Sequence, residues 1–104
     1  MFNSYICLMM QLDNIVNNLR QLKPLLAEKY HVSSIGLFGS VVRNDFTALS
    51  DIDIIVDFSK PIGIEFIELA DLIETKLQTR VDLVSQKGIK KQYYEAIATE
   101  IIYV

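Results

Sequence analysis

Only one cysteine, Cys7, occurs in the 104 residues. An internal disulfide is therefore excluded, and a reducing compartment is expected. Positive charge is also scarce. Ten Lys and Arg stand against thirteen Asp and Glu, a formal net charge of −3. A broad grip on nucleic acid needs a basic face, so direct nucleic-acid binding is not expected. With two prolines and four glycines, the sequence shows no linker and no low-complexity stretch. It shows no internal repeat either. Long hydrophobic runs are missing too. Residues 1–10 are mildly apolar, but they are too short to span a bilayer and carry no basic n-region. A soluble, cytoplasmic protein with no membrane contact is expected.

What is present fits a small globular domain. Apolar residues make up 51% of the chain, too many for a disordered segment. A chain this long makes one domain and buries roughly 60 to 70% of its unfolded surface. Residues 11–104 read as that domain. Residues 1–10 read as an N-terminal extension, or as the start of the first helix. Leu12, Ile15, Val16, Leu19, Leu22, Leu25 and Leu26 recur in steps of three and four, which predicts an amphipathic helix over residues 11–30. Pro24 lies inside it and is a candidate kink. His31 reads as a surface residue at the helix end.

Strands are predicted at Val32–Phe38, Ile52–Phe58 and residues 81–84. A short helix is expected after Gly39-Ser40, then a loop to residue 50. Further helices are expected over residues 62–77 and 89–98. Lys87, Lys90 and Lys91 read as a solvated helix start. The order is helix, strand, short helix, strand, helix, strand, helix. The fold class is α/β (α+β), a small mixed sheet flanked by helices.

Chemistry concentrates between Gly39 and Asp53. On the strand Ile52–Phe58, alternation puts Asp51, Asp53, Ile55 and Asp57 on one face and the apolar set on the other. Asp51 and Asp53 leave the same face about 7 Å apart along the chain. Two such carboxylates repel and raise each other's pKa. A hard dication relieves that conflict, and Mg²⁺ typically takes one or two carboxylates plus phosphate oxygens. Asp82 interrupts an apolar strand, which is costly unless it is paired, bound to metal or open to solvent at a sheet edge. If its strand neighbours the second, three acids converge. Two ions about 3.5 to 4 Å apart would then serve an in-line displacement at phosphorus. Asp57 reads as solvated.

Gly39 permits close approach of the backbone to a phosphate. Ser40 adds a hydroxyl and opens a helix, whose first N–H groups favour anions. Arg43, one turn on, reaches the same phosphates in forked geometry, or else pairs with Asp45 or Asp51. Each part alone is common in proteins. The joint pattern of strand, Gly-Ser, ten residues, Asp-x-Asp, strand and a later Asp is far more specific.

Gly39-Ser40, ten residues, then Asp51-Ile52-Asp53 resembles the signature of the DNA polymerase β-like nucleotidyltransferases. Within that superfamily the chain resembles the minimal nucleotidyltransferase (MNT) domains, the antitoxin half of HEPN–MNT toxin–antitoxin pairs. The likeness includes Arg43, Ser50, Val81-Asp82-Leu83-Val84 and the closing Glu100-Ile101-Ile102-Tyr103-Val104. Asn44 departs from it, standing where relatives often have Gly; Asn also tolerates left-handed backbone. The resemblance implies a mixed sheet and a Mg²⁺–ATP site. It implies metal binding by Asp51 and Asp53, with Asp82 completing the cluster and helping to activate the acceptor hydroxyl, and nucleotide binding by Gly39, Ser40 and Arg43. It implies transfer of AMP from ATP, with pyrophosphate leaving, to a tyrosine of a HEPN ribonuclease, which silences that toxin.

The expected protein is thus an enzyme-antitoxin in a hetero-oligomer with its toxin. A separate partner agrees with the size, since a template-directed polymerase uses further domains. Two other readings remain open at this stage: an antitoxin that acts by binding alone, and a nucleotidyltransferase for small molecules. Tyr93, Ile101, Ile102 and Tyr103 are expected to be exposed and to form a protein contact surface. Tyr93, Tyr94 and Tyr103 read as core or contact residues rather than as acceptors.

Overall fold

The computed structural model describes residues 4–43, 45, 47 and 50–104, with side chains from residue 12 onward. Asn44 lies outside the described residues. Helix α1 runs Ser4–Tyr30, so residues 4–10 continue the helix expected to begin near residue 11. Pro24 is accommodated inside it. The helix ends where His31 takes a left-handed φ of 59°, and β1 follows at once over Val32–Phe38. The single turn α2 (Ser40–Arg43) leads by a loop to β2 (Ile52–Phe58). Then come α3 (Glu65–Leu77), β3 (Val81–Ser85), α4 (Lys91–Ile97) and β4 (Ile102–Tyr103).

The sheet is mixed, in the order β3-β2-β1-β4. Strands β2 and β3 are parallel, joined through α3, while β1 runs antiparallel to both β2 and β4. One rim therefore gathers the C-terminal end of β1 and the N-terminal ends of β2, β3 and β4. β4 is a strand that the sequence reading leaves out. Two residues are too few to show alternation, and only pairing with Gly36 and Leu37 defines it.

Alternation along the strands sorts two faces. Ile35, Leu37, Ile52, Ile54 and Val56 point to one side, where Leu19 and Leu26 of α1 and Leu69 and Ile73 of α3 bury them. The opposite face holds a smaller cluster of Phe38, Ile55 and Ile97, covered by the short α4. Asp53 and Asp82 belong to this thinly covered face, by the same two-residue period. No buried polar or charged side chain occurs among the described residues. The expected contact surface needs one correction. Tyr93, Ile102 and Tyr103 are exposed, but Ile101 packs against the smaller cluster instead. It fits there because Gly36 beneath it has no side chain; a Cβ at Gly36 would come within 2.5 Å of Ile101 Cγ2.

Candidate active site

The parallel register of β2 and β3 sets Asp53 directly opposite Asp82. Directly paired residues share a face, so both carboxylates rise from the same side of the sheet. Asp51 stands one residue before β2 and is exposed. The antiparallel register of β1 and β2 sets Phe38 opposite Asp53, which carries Gly39 to the same rim. The three acids and the Gly39-Ser40 turn thus arrive together from three different strand ends.

Gly39 is held in the left-handed region at φ 77°. The Asp53 carboxylate lies against its Cα so closely that a Cβ there would overlap Oδ2. Any other residue would meet both a conformational and a steric penalty. The turn then closes on itself: the N–H groups of Val42 and Arg43 both donate to Gly39 O at 3.1 Å. Ser40 is half-buried beside it.

Electrostatics single out Asp53. Its pKa is raised from 3.8 to about 6, first by burial, then by the charges of Asp82 and Asp51. Arg43 opposes this and Glu100 adds to it. Asp82 is exposed on the edge strand β3. Asp51 Oδ1 pairs with Arg80 Nε at 3.2 Å. Arg43 stays clear of Asp51. It faces Asp45 at 3.8 Å and Glu100 at 3.2 Å. Asp57 lies at the far end of β2 against Lys87, 4.0 Å away, and takes no part in this rim. Lys91 pairs with Glu95 on the surface of α4.

Glu100 is the residue that sequence reasoning missed. Its Oε1 accepts from Gly39 N–H at 3.1 Å and from Arg43 Nη1 at 3.2 Å, and its Oε2 from Arg43 Nη1 at 3.3 Å. The signal was weak: one acid ahead of the apolar run at residues 101–104. Its place at the rim depends on β4, which sequence periodicity does not reveal.

Among the described residues, no three Asp, Glu, His or Cys side chains already stand close enough to hold a metal ion. Asp51 is drawn toward Arg80, and Asp53 rests on Gly39. The donor set nevertheless suits a hard dication. It is all carboxylate oxygen, and the ionised form of Asp53 is disfavoured first by burial and then by the charges of Asp82 and Asp51, which an ion would offset. A cavity of about 320 Å³ opens at the other end of β2, lined by Phe58, Pro61, Ile62, Phe66 and Lys87. None of the three acids lines it.

Comparison with known proteins decides the family. The nucleotidyltransferase domain family matches residues 19–104. The chain is a member of that family. The protein adenylyltransferase MntA of Thermococcus cleftensis is 39% identical over 97 residues, covering 92% of this nucleotidyltransferase and 98% of the relative. A chain from a crystal structure of a toxin–antitoxin with AMP-PNP superposes with a TM-score of 0.71 at 27% identity, over 84% of this chain and 69% of that one. A chain from the tri-AMPylated Shewanella oneidensis HEPN toxin in complex with MNT antitoxin gives 0.58 at 26% identity, over 92% and 70%. The nucleotidyltransferase fold that the family resemblance implies is the one observed. No described helix is long and apolar enough to cross a membrane.

Proposed function

We propose that this nucleotidyltransferase is a Mg²⁺-dependent protein adenylyltransferase. It transfers AMP from ATP to a tyrosine of a HEPN toxin and so neutralises it as an antitoxin. The observation that carries the reading is the paired register of Asp53 and Asp82, with Asp51 beside them and the Gly39-Ser40 turn at the same strand ends. Negative charge and a polyphosphate seat on one rim are what phosphoryl transfer needs, since positioning and electrostatics do most of that work. The adenylyltransferase name of the archaeal relative supports the reaction. AMP-PNP in one structural neighbour supports ATP as donor, and AMPylated toxin in another supports the HEPN partner.

In this reading Asp51, Asp53 and Asp82 hold the ion or ions. When bound, the metal neutralises charge developing on the phosphate oxygens. Asp82 helps take the proton of the acceptor hydroxyl. Gly39, Ser40 and Arg43 bind and orient the triphosphate. Residues 11–104 form the catalytic domain, and the protein works in the cytoplasm in a complex with its toxin.

The deciding experiment mixes the chain with its co-expressed partner, ATP and Mg²⁺, then measures the partner's intact mass. A mass increase in whole AMP units on the partner is expected. It should vanish with EDTA and with Asp51→Asn or Asp53→Asn, and neutralisation of the toxin should be lost with it. An unchanged partner mass with full neutralisation would overturn the enzymatic reading.

A further inference from the structure

The strongest unassigned feature is the two-way grip of Glu100. It joins residues 61 positions apart in sequence through Gly39 N–H, and 57 apart through Arg43. Its side chain is only 23% exposed, whereas that of Arg43 is 53% exposed. The more exposed cation is thus tethered by the less exposed anion. The bond to Gly39 N–H fixes where the Glu100 carboxylate sits, and the carboxylate then fixes Nη1 of Arg43.

This tether matters because of what else Arg43 could reach. It lies within electrostatic range of Asp53. A guanidinium beside three carboxylates pairs with them readily, in one-point or forked contacts. The rim already contains one such pair, Arg80 on Asp51 at 3.2 Å. A second cation falling onto Asp53 or Asp82 would compete directly with a divalent ion. Glu100 takes one nitrogen of the guanidinium, and Asp45 faces Nε at 3.8 Å. Contacts of that kind leave the fork incompletely used, so a phosphate oxygen need not displace Glu100 to reach Arg43.

We propose that Glu100 is a positioning residue that holds Arg43 on the phosphate side of the rim and keeps it off the metal-binding carboxylates. The inference rests on the reading that Asp51, Asp53 and Asp82 bind a divalent cation. It acts through Arg43 and requires no contact between Glu100 and substrate or metal.

The test measures Mn²⁺ binding to the whole chain without nucleotide, by electron paramagnetic resonance or calorimetry. Wild type is compared with Glu100→Ala, Glu100→Gln, Arg43→Ala and both double variants. Loss of a residue that supports a metal site from outside it typically costs 10- to 100-fold in affinity, so Glu100→Ala is expected to raise the Kd for Mn²⁺ by about tenfold or more. Glu100→Gln keeps an acceptor for Gly39 N–H and so preserves the turn, and it should weaken binding in the same direction. Adding Arg43→Ala to either variant should restore wild-type affinity, because the competing cation is gone.

An equal loss with and without Arg43 would mean that Glu100 acts by its own charge, and would overturn the proposal. So would an unchanged Kd in both Glu100 variants. A separate failure is distinguishable. If wild type binds no Mn²⁺, or if Asp51→Asn and Asp53→Asn leave its binding unchanged, the metal-site reading itself is wrong.

Discussion

At Asp53 the three largest influences are burial, the charge of Asp82 across the strand pair and the charge of Asp51 two residues back. Its pKa of about 6 in the fold, against 3.8 ordinarily, means that the folded state holds its proton more firmly than the unfolded state. The associated stability is fully present below pH 3.8 and is lost as pH rises through about 6. Asp53→Asn cannot ionise. The variant should therefore melt higher than wild type at pH 7.5, and the difference should shrink toward nothing at pH 4; parallel thermal melts at both pH values check this. The same variant should lose activity by at least about a hundredfold, because even residues one shell removed from a metal cost 10- to 100-fold. A gain in stability joined to loss of function is expected where repelling charges are kept together for a ligand. Gly39 is constrained from two sides, by its φ of 77° and by the Asp53 carboxylate. Gly39→Ala should cost more than about 1 kcal/mol of stability in denaturant titration. Its ATP affinity should fall as well.

Among the elements, the three long strands were the most legible. The predicted spans of β1 and β2 match the observed ones, and β3 extends one residue past its predicted end. Runs of Ile, Leu, Val and Phe made them so, packed on one face in the main core and on the other, in part, in the smaller cluster under α4. Helix boundaries were less legible. α1 starts at Ser4 rather than near residue 11, and α3 at Glu65 rather than residue 62. In α3 the N-cap position is Ile64, whose apolar side chain makes no capping hydrogen bond to mark the start. The three acids and the turn were found because they occur jointly at a specific spacing, although each part alone is common. Glu100 and β4 were not, since both gain meaning only through pairing with β1, far away in sequence. β4 also closes the outer edge of β1. Val104 N–H donates to Ile35 O, and Lys23 Nζ donates to Val104 O. Deleting residues 101–104 should lower Tm by at least about 5 °C, since each kcal/mol is worth about 4–8 °C in a domain of this size. Size-exclusion chromatography should show the bared β1 edge as new aggregation.

For the whole molecule, the proposed function makes the rim a place where folding, charge and ligand binding would be coupled. A ligand that binds only the folded state stabilises it by mass action. Millimolar Mn²⁺ with ATP should raise Tm at pH 8 by about 10 °C or more, for about 2.7 kcal/mol of stabilisation at a hundredfold excess over Kd. The shift should be smaller at pH 5, where Asp53 with its pKa of about 6 is largely protonated and protons compete with the ion. No shift at either pH would count against the site. The carboxylate of residue 100 closes onto the backbone of residue 39. A nascent chain therefore leaves the ribosome with this rim incomplete until residue 100, 61 positions after residue 39, has emerged. Over the seconds that translation of those residues takes, at about 5–20 residues per second, the unfinished protein exposes its acids without the clasp that arranges the arginine beside them.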